Sequence, residues 1–232
     1  MKRFGPLSVI ALSVLFTLTI VSPTTANGQG AGLVSSVLSR MEKNRQTLKT
    51  LRASISMEKY NSQLRDSDTF QGVVIYVPGQ GRQASVRIDW SKPRKEILAV
   101  NNGKYMIYRP TLKVVYTGSS NSKANKAGGI IEMMYMTRQQ LEARFQPLKD
   151  VREETLWGGV STIHLTLVPK GNASFQYAEI WIDQYGMPVQ TKVVEKNDDS
   201  TTMRLTGLEK NIKINSDEFN IKVDSDVKVV KS

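Results

Sequence analysis

From Ala53 to Lys210 the hydropathy of the chain alternates with a period of two, in short runs that end on turn-forming residues. That pattern restricts the fold more than any other feature. Period two places successive side chains on opposite faces of a strand, so each run has one apolar face that must be covered. Ile55, Met57 and Lys59 alternate with Ser54, Ser56 and Glu58, and residues 70–77 form a run rich in β-branched side chains. After the turn Pro78-Gly79-Gln80-Gly81, Val86, Ile88 and Trp90 alternate with Arg87 and Asp89, and Pro93 ends the run. Residues 97–100 and 105–108 flank Asn101-Asn102-Gly103, a hairpin turn, and residues 112–117 follow. Runs resume at 153–156, 162–168, 177–183, 188–196 and 201–210, and the tail 212–230 alternates only weakly. About ten strands spaced in this way predict an antiparallel meander.

Two segments break the period. Leu33, Val34, Val37, Leu38, Met41 and Leu48 recur at three- and four-residue steps, which predicts an amphipathic helix after a Gly-rich tether at 27–32. In the middle, a small and polar stretch at 119–129 precedes Ile130, Ile131, Met133, Met134, Tyr135 and Met136. Thr137 and Gln140 then form the pattern of a capping box for a short helix reaching Phe145. The mainly β chain with these helices predicts one curved antiparallel sheet, closed or half-closed, whose open face the helices cover.

The first residues bear on the compartment. Met1-Lys2-Arg3, an apolar run at 7–21 and Pro23-Thr24-Thr25-Ala26 have the layout of a secretory signal peptide. Cleavage after Ala26 is expected, with residues 27–232 forming a single domain; an uncleaved anchor is the alternative. The whole chain carries a net charge of +11, and removal of Lys2 and Arg3 leaves about +9. Anionic membrane surfaces and acidic partners suit such a charge. Nucleic acid is not an expected partner, because no basic helix or aromatic-basic stacking motif accompanies it.

Catalytic and metal chemistry find little support. With no Cys in the chain, disulfides and thiolate sites are excluded. The one histidine, His164, alternates with Ile163 and Leu165, which predicts a polar-face strand residue rather than a base or ligand. Asp198-Asp199 reads as a turn, and Asp224 and Asp226 as solvated acids. No nucleophile–base pairing and no phosphate-binding glycine loop is present, so the chain is read as a non-enzyme without a cofactor. The apolar chemistry says more. Methionine is unbranched and polarizable, and fits apolar partners of variable shape. Met133, Met134 and Met136 are therefore either an adaptable binding segment or the start of an ordinary buried helix.

The motifs together resemble the LolA family of periplasmic lipoprotein carriers. The likeness spans nearly all of the chain beyond residue 26. It rests on the helix from Leu33, Thr69-Phe70-Gln71-Gly72-Val73-Val74-Ile75-Tyr76 and Val86-Arg87-Ile88-Asp89-Trp90-Ser91-Lys92-Pro93. Glu96-Ile97-Leu98-Ala99-Val100-Asn101-Asn102-Gly103-Lys104, Tyr108-Arg109-Pro110 and the closing Asn211-Ile212-Lys213-Ile214 with Phe219-Asn220-Ile221 complete it. The resemblance implies an unclosed, strongly curved antiparallel β-barrel, a half-barrel covered by an N-terminal helix and a short helical lid. It implies a monomeric periplasmic carrier that takes acylated lipoprotein cargo from an inner-membrane LolCDE-type transporter toward the outer membrane, where a receptor is a further possible partner. A carrier or sensor of a free lipid or glycolipid on the same scaffold is the other reading. By position, Val86, Ile88 and Trp90 should face the acyl-chain cavity, with Ile130, Ile131, Met133, Met134 and Met136 at the lid. The family's better-known members latch that lid with an arginine directly before a proline; this chain has Tyr76-Val77-Pro78, leaving Arg82 or Arg87 as substitutes. The family's proline after the closing Phe is also missing from Val223-Asp224-Ser225-Asp226. An unlatched lid should exchange amide hydrogens quickly at 130–136 when empty and slowly with a diacylated lipoprotein bound; strong protection in both states would identify a static core segment.

Overall fold

The computed structural model describes residues 27–79, 84–119 and 136–231. Strands β1 (Leu51–Asn61), β2 (Asp66–Val77), β3 (Ser85–Lys92), β4 (Glu96–Asn101), β5 (Lys104–Arg109) and β6 (Val114–Ser119) form the first half of the chain's sheet. Strands β7 (Lys149–Leu156), β8 (Val160–Leu167), β9 (Phe175–Asp183), β10 (Pro188–Glu195) and β11 (Ser200–Lys210) form the second half, and β12 (Lys228–Lys231) ends the chain. All twelve belong to one sheet, in the order β12-β6-β5-β4-β3-β2-β1-β11-β10-β9-β8-β7. Every pairing is antiparallel except that of β12 with β6, and the two edge strands, β12 and β7, do not pair with each other. The unclosed antiparallel half-barrel expected from the sequence is therefore the fold.

Register carries one apolar face across the sheet. Ile88 lies opposite Val74 on one side and Leu98 on the other. Across the join of the two halves, Ile55 pairs with Leu205 and Met57 with Met203; farther on, Met203 pairs with Thr191, Thr191 with Ile180 and Ile180 with Leu165. Because side chains alternate strictly along each strand, these residues share the concave side.

Helix α1 (Asn27–Thr47) lies on that side. Its stripe of Val37, Leu38 and Met41, with Leu48 just beyond its end, is buried in the same cluster as the concave strand residues. The helix begins within the segment expected to be a Gly-rich tether. Intrinsic propensity is a weak prior, and the glycines there do not prevent helix. Helix α2 (Arg138–Arg144) carries the expected capping box: Thr137 accepts from the Gln140 N–H, and the Gln140 side chain accepts from the Thr137 N–H. Its Leu141, with Phe145 and Met136 at its ends, joins the same core.

Two features depart from the period-two reading. Pro110–Leu112 is a 3-10 turn, so β6 starts at Val114 rather than at Leu112. The weakly alternating tail is a strap over the convex face. Asn211 starts it, donating to Thr50 O at 2.8 Å while its Oδ1 accepts from the Lys49 N–H at 2.7 Å. A 3-10 turn at Ser216–Phe219 then packs on β3 and β4 and buries Phe219. Ile75, Ala99 and Val115, buried on the convex side of the sheet, find apolar cover there.

Candidate functional site

The concave face is the site the architecture builds. Strand β3 contributes Val86, Ile88 and Trp90, all buried; Ile88 has no exposed surface. Strands β8 and β9 supply Leu165, Leu167 and Ile180, also without exposed surface. A helix seated on such a face removes from water what a single-layer sheet cannot bury alone. At the end of the sheet that carries the β3–β4 turn, Trp90 meets Phe70 edge-on at a centroid distance of 5.9 Å. Lys59 places its Nζ 5.1 Å from the Phe70 ring centre, so the apolar face ends there in an aromatic pair beneath a cation.

The site residues expected from the sequence fall into two groups. Val86, Ile88, Trp90 and Met136 are brought together in one buried cluster. Ile130, Ile131, Met133 and Met134 lie outside the described residues, as does Arg82. Arg87, the other proposed latch, is on the convex face. It bonds Asp89 and donates from Nη1 to Glu218 O at 2.7 Å, and Arg52 pairs with the Glu218 carboxylate at 2.9 Å. It holds the C-terminal strap and faces away from the concave cluster that contains Met136.

Sequence reasoning missed two polar groups. Thr191 sits within the concave face with no exposed surface, and its Oγ1 has no hydrogen-bond partner among the described residues. Its place in the alternation between Val189 and Val193 is the signal that could have revealed it. A buried hydroxyl without a partner loses about 1–3 kcal/mol of solvation. Thr191→Val should therefore raise stability by about 1 kcal/mol, read as a higher melting temperature; a fall in melting temperature would show that the hydroxyl is satisfied. Tyr76, also buried, has its phenol pushed above the ordinary tyrosine range by desolvation, against the opposing charge of Arg45.

His164 is on the convex face, as its alternation predicted, but it is almost fully buried rather than open to water. The Trp181 ring packs against it at 4.7 Å, Nδ1 lies 3.2 Å from Asp150 O, and Nε2 lies 3.2 Å from Glu179 Oε2. Arg152 beside Asp150 holds that carboxyl below the usual carboxylate range. The cluster joins β7, β8 and β9 and contains no group of three or more ligating side chains suited to a metal, among the described residues. On the same side of the sheet as the strap, a cleft of about 910 Å³ is lined by Ala99, Met106, Phe219, Ile221, Lys104 and Lys231. By register Ala99 and Met106 face away from Ile88, so this cleft is separate from the concave face.

A curved sheet wrapped around an apolar face and covered by helices defines a carrier scaffold for lipids or lipoproteins. The chain belongs to the LolA family: the model for "Outer membrane lipoprotein carrier protein LolA" matches residues 46–222, about three quarters of its length. Proteins of this family are periplasmic, bind lipoprotein cargo and are generally not enzymes. No helix among the described residues is long and apolar enough to cross a membrane. No protein of curated function matches the sequence. Among solved structures, an uncharacterized conserved protein from Thermus thermophilus superposes with a TM-score of 0.54 at 13% identity, covering 86% of this chain and 99% of that one. MucB superposes with a TM-score of 0.51 at 10% identity over 88% of this chain and 66% of its own. A putative outer membrane lipoprotein-sorting protein domain from Vibrio parahaemolyticus, 15% identical, covers 83% of this chain and 97% of that one with a TM-score of 0.41. At these identities the first two likenesses establish the fold alone.

Proposed function

We propose that the protein shelters the acyl chains of lipoproteins against its concave face and shuttles them through the periplasm from the inner to the outer membrane. The observation that carries this reading is the apolar surface from Leu98 through Ile88, Val74, Ile55 and Leu205 to Ile180 and Leu165, interrupted at the buried Thr191 and covered by a separate helix. Each methylene moved out of water is worth about 0.8 kcal/mol, so a sixteen-carbon chain resists crossing water by roughly 12 kcal/mol. A scaffold that replaces water with apolar side chains removes most of that barrier. Val86, Ile88, Trp90 and Met136 are the proposed contacts, on the residues described. The proposed donor is an inner-membrane LolCDE-type transporter and the proposed acceptor site is the outer membrane, with or without a receptor. In this reading the signal is cleaved after Ala26, and intact-mass analysis of protein recovered from the periplasm should give Asn27 as the first residue.

Native mass spectrometry of the protein purified from its own cells tests the cargo. Diacylated or triacylated lipoproteins should co-purify. Free phospholipid or glycolipid as the sole co-purifying species would favour the second reading, a free-lipid carrier on the same scaffold. Protein recovered empty, and unable to take up a fluorescent fatty acid, would remove both.

A further inference from the structure

One end of the half-barrel carries a charge and apolar pattern that the carrier reading does not use. Strands β1 to β6 are sequential neighbours, so the turns joining β1 to β2, β3 to β4 and β5 to β6 all emerge at the same end. The first turn, at 62–65, exposes Leu64 at 76%, and the third, at 110–113, exposes Leu112 at 62%. Both leucines are mostly exposed, so neither belongs to the core. The turn between them carries Lys92, Arg94 and Lys95, and Arg65 follows Leu64; all four are exposed. None of the four forms an ion pair among the described residues, whereas Arg109 is paired with Glu96 and Lys113 with Asp226. The nearby acids not in such pairs, Glu58, Asp66 and Asp68, stand on the β1–β2 hairpin, at least one strand away from the basic turn. The next turn beyond β1 at this end, Asn197-Asp198-Asp199, is acidic and is tied to Ser62 by hydrogen bonds. The positive charge of this rim is densest on the β3–β4 turn, where Lys92, Arg94 and Lys95 stand within four residues.

We infer that this rim is a docking surface for an anionic phospholipid bilayer. The two leucines are four strands apart, roughly 19 Å across the sheet at a strand spacing of about 4.8 Å, and the β1–β2 hairpin carries Leu64 about 17 Å farther along the strands, past the last β2–β3 pair of Gln71 with Lys92. A bilayer that meets the strands obliquely can take both leucines at its headgroup boundary, with the basic turn facing the phosphates. Each cation held near an anionic leaflet raises partitioning about fivefold, and apolar side chains add to this by entering the interface. The same end of the sheet holds Trp90 and Phe70 at the limit of the concave face. Docking there would set that face against the membrane. The inference stands on the rim alone and does not require that the concave face carry cargo.

Vesicle flotation of the purified protein is the test, with phosphatidylglycerol-containing vesicles set against pure phosphatidylcholine. Binding is expected to the anionic vesicles only, and to fall steeply with added salt. Leu64→Ser with Leu112→Ser should lower the partition coefficient by roughly tenfold. Arg94→Glu with Lys95→Glu should lower it by about two orders of magnitude or more, a change of four charges at about fivefold each. Lys222→Glu with Lys228→Glu, the same charge change on the exposed strap, should retain more binding than the rim pair. All these positions are exposed, so folding is not at issue, and circular dichroism verifies it. Equal binding to neutral vesicles, no binding by the parent, or equal losses in rim and strap variants would each overturn the inference. Fatty-acid uptake measured on the same variants separates this outcome from failure of the carrier reading, because it should be unchanged.

Discussion

Ile88→Glu should destabilise the protein strongly at neutral pH and abolish acyl-chain uptake by the molecules that remain folded. Ile88 has no exposed surface and lies between Val74 and Leu98 on the concave face. A carboxylate placed there must be desolvated or stay protonated, which raises its pKa. A rise of about three units penalises the folded state at neutral pH by about 4 kcal/mol, a large part of a typical stability of about 5–15 kcal/mol. The sign follows from the raised folded-state value. Below the unfolded glutamate pKa of about 4.3 both states are protonated and the ionisation penalty is absent. It grows as pH rises through the range between the unfolded and folded values. The melting temperature of the variant relative to the parent should therefore be highest near pH 4 and fall toward pH 8, whereas Ile88→Gln should show no such slope. Uptake of a fluorescent fatty acid, normalised to the folded fraction at each pH, reads the function. If uptake per folded molecule equals that of the parent, Ile88 is an ordinary core residue and the proposed contact is wrong.

Gly186→Ala is expected to have the second large effect, on the seating of α1. The β9–β10 turn presses against the helix at this point. A Cβ on Gly186 would lie 2.2 Å from the backbone carbon and oxygen of Arg40, and the residue has φ +83. Both neighbouring atoms belong to the helix backbone, so no side chain can rotate away. The left-handed conformation alone costs an L-residue about 1–2 kcal/mol, and displacing a helix from the core brings the total to about 4 kcal/mol or more. Gly158→Ala and Gly159→Ala provide the comparison, since both have positive φ but a Cβ there would meet nothing within 4 Å. They should cost only the conformational part. Hydrogen exchange across 33–47 separates global loss from helix detachment. Unchanged melting and unchanged helix protection in Gly186→Ala would show that the turn and the helix are free to move apart.

Much of the architecture was legible because it obeys local rules. The alternation at Val86, Ile88 and Trp90 fixed their face before any tertiary contact was known, since the period of a strand is two wherever it sits. The spacing of Val37, Leu38 and Met41 marked the buried stripe of α1, and Thr137 with Gln140 specified the start of α2 through bonds that span only three residues. Other features depended on partners far away in the chain. The tail read as a weak strand, but its longest part is a strap held by Arg52, Arg87, Lys49 and Thr50, and only its last four residues, Lys228–Lys231, pair, in parallel with β6. A parallel partner more than a hundred residues earlier leaves no local signature.

Alternation assigned His164 to the outer face, but a face label does not determine exposure. Curvature of the sheet and the neighbouring Trp181 and Asp150 buried it. The same limit applies to Arg87, whose charge suggested a lid contact until register placed it opposite Ala99 and against Glu218. Sequence therefore determined which elements form and which side of each is apolar, because those properties depend on backbone periodicity and nearby side chains. The tertiary structure alone decided which strands meet at the edges, what covers the convex face and which turns share one rim, because each depends on the order of twelve strands in space.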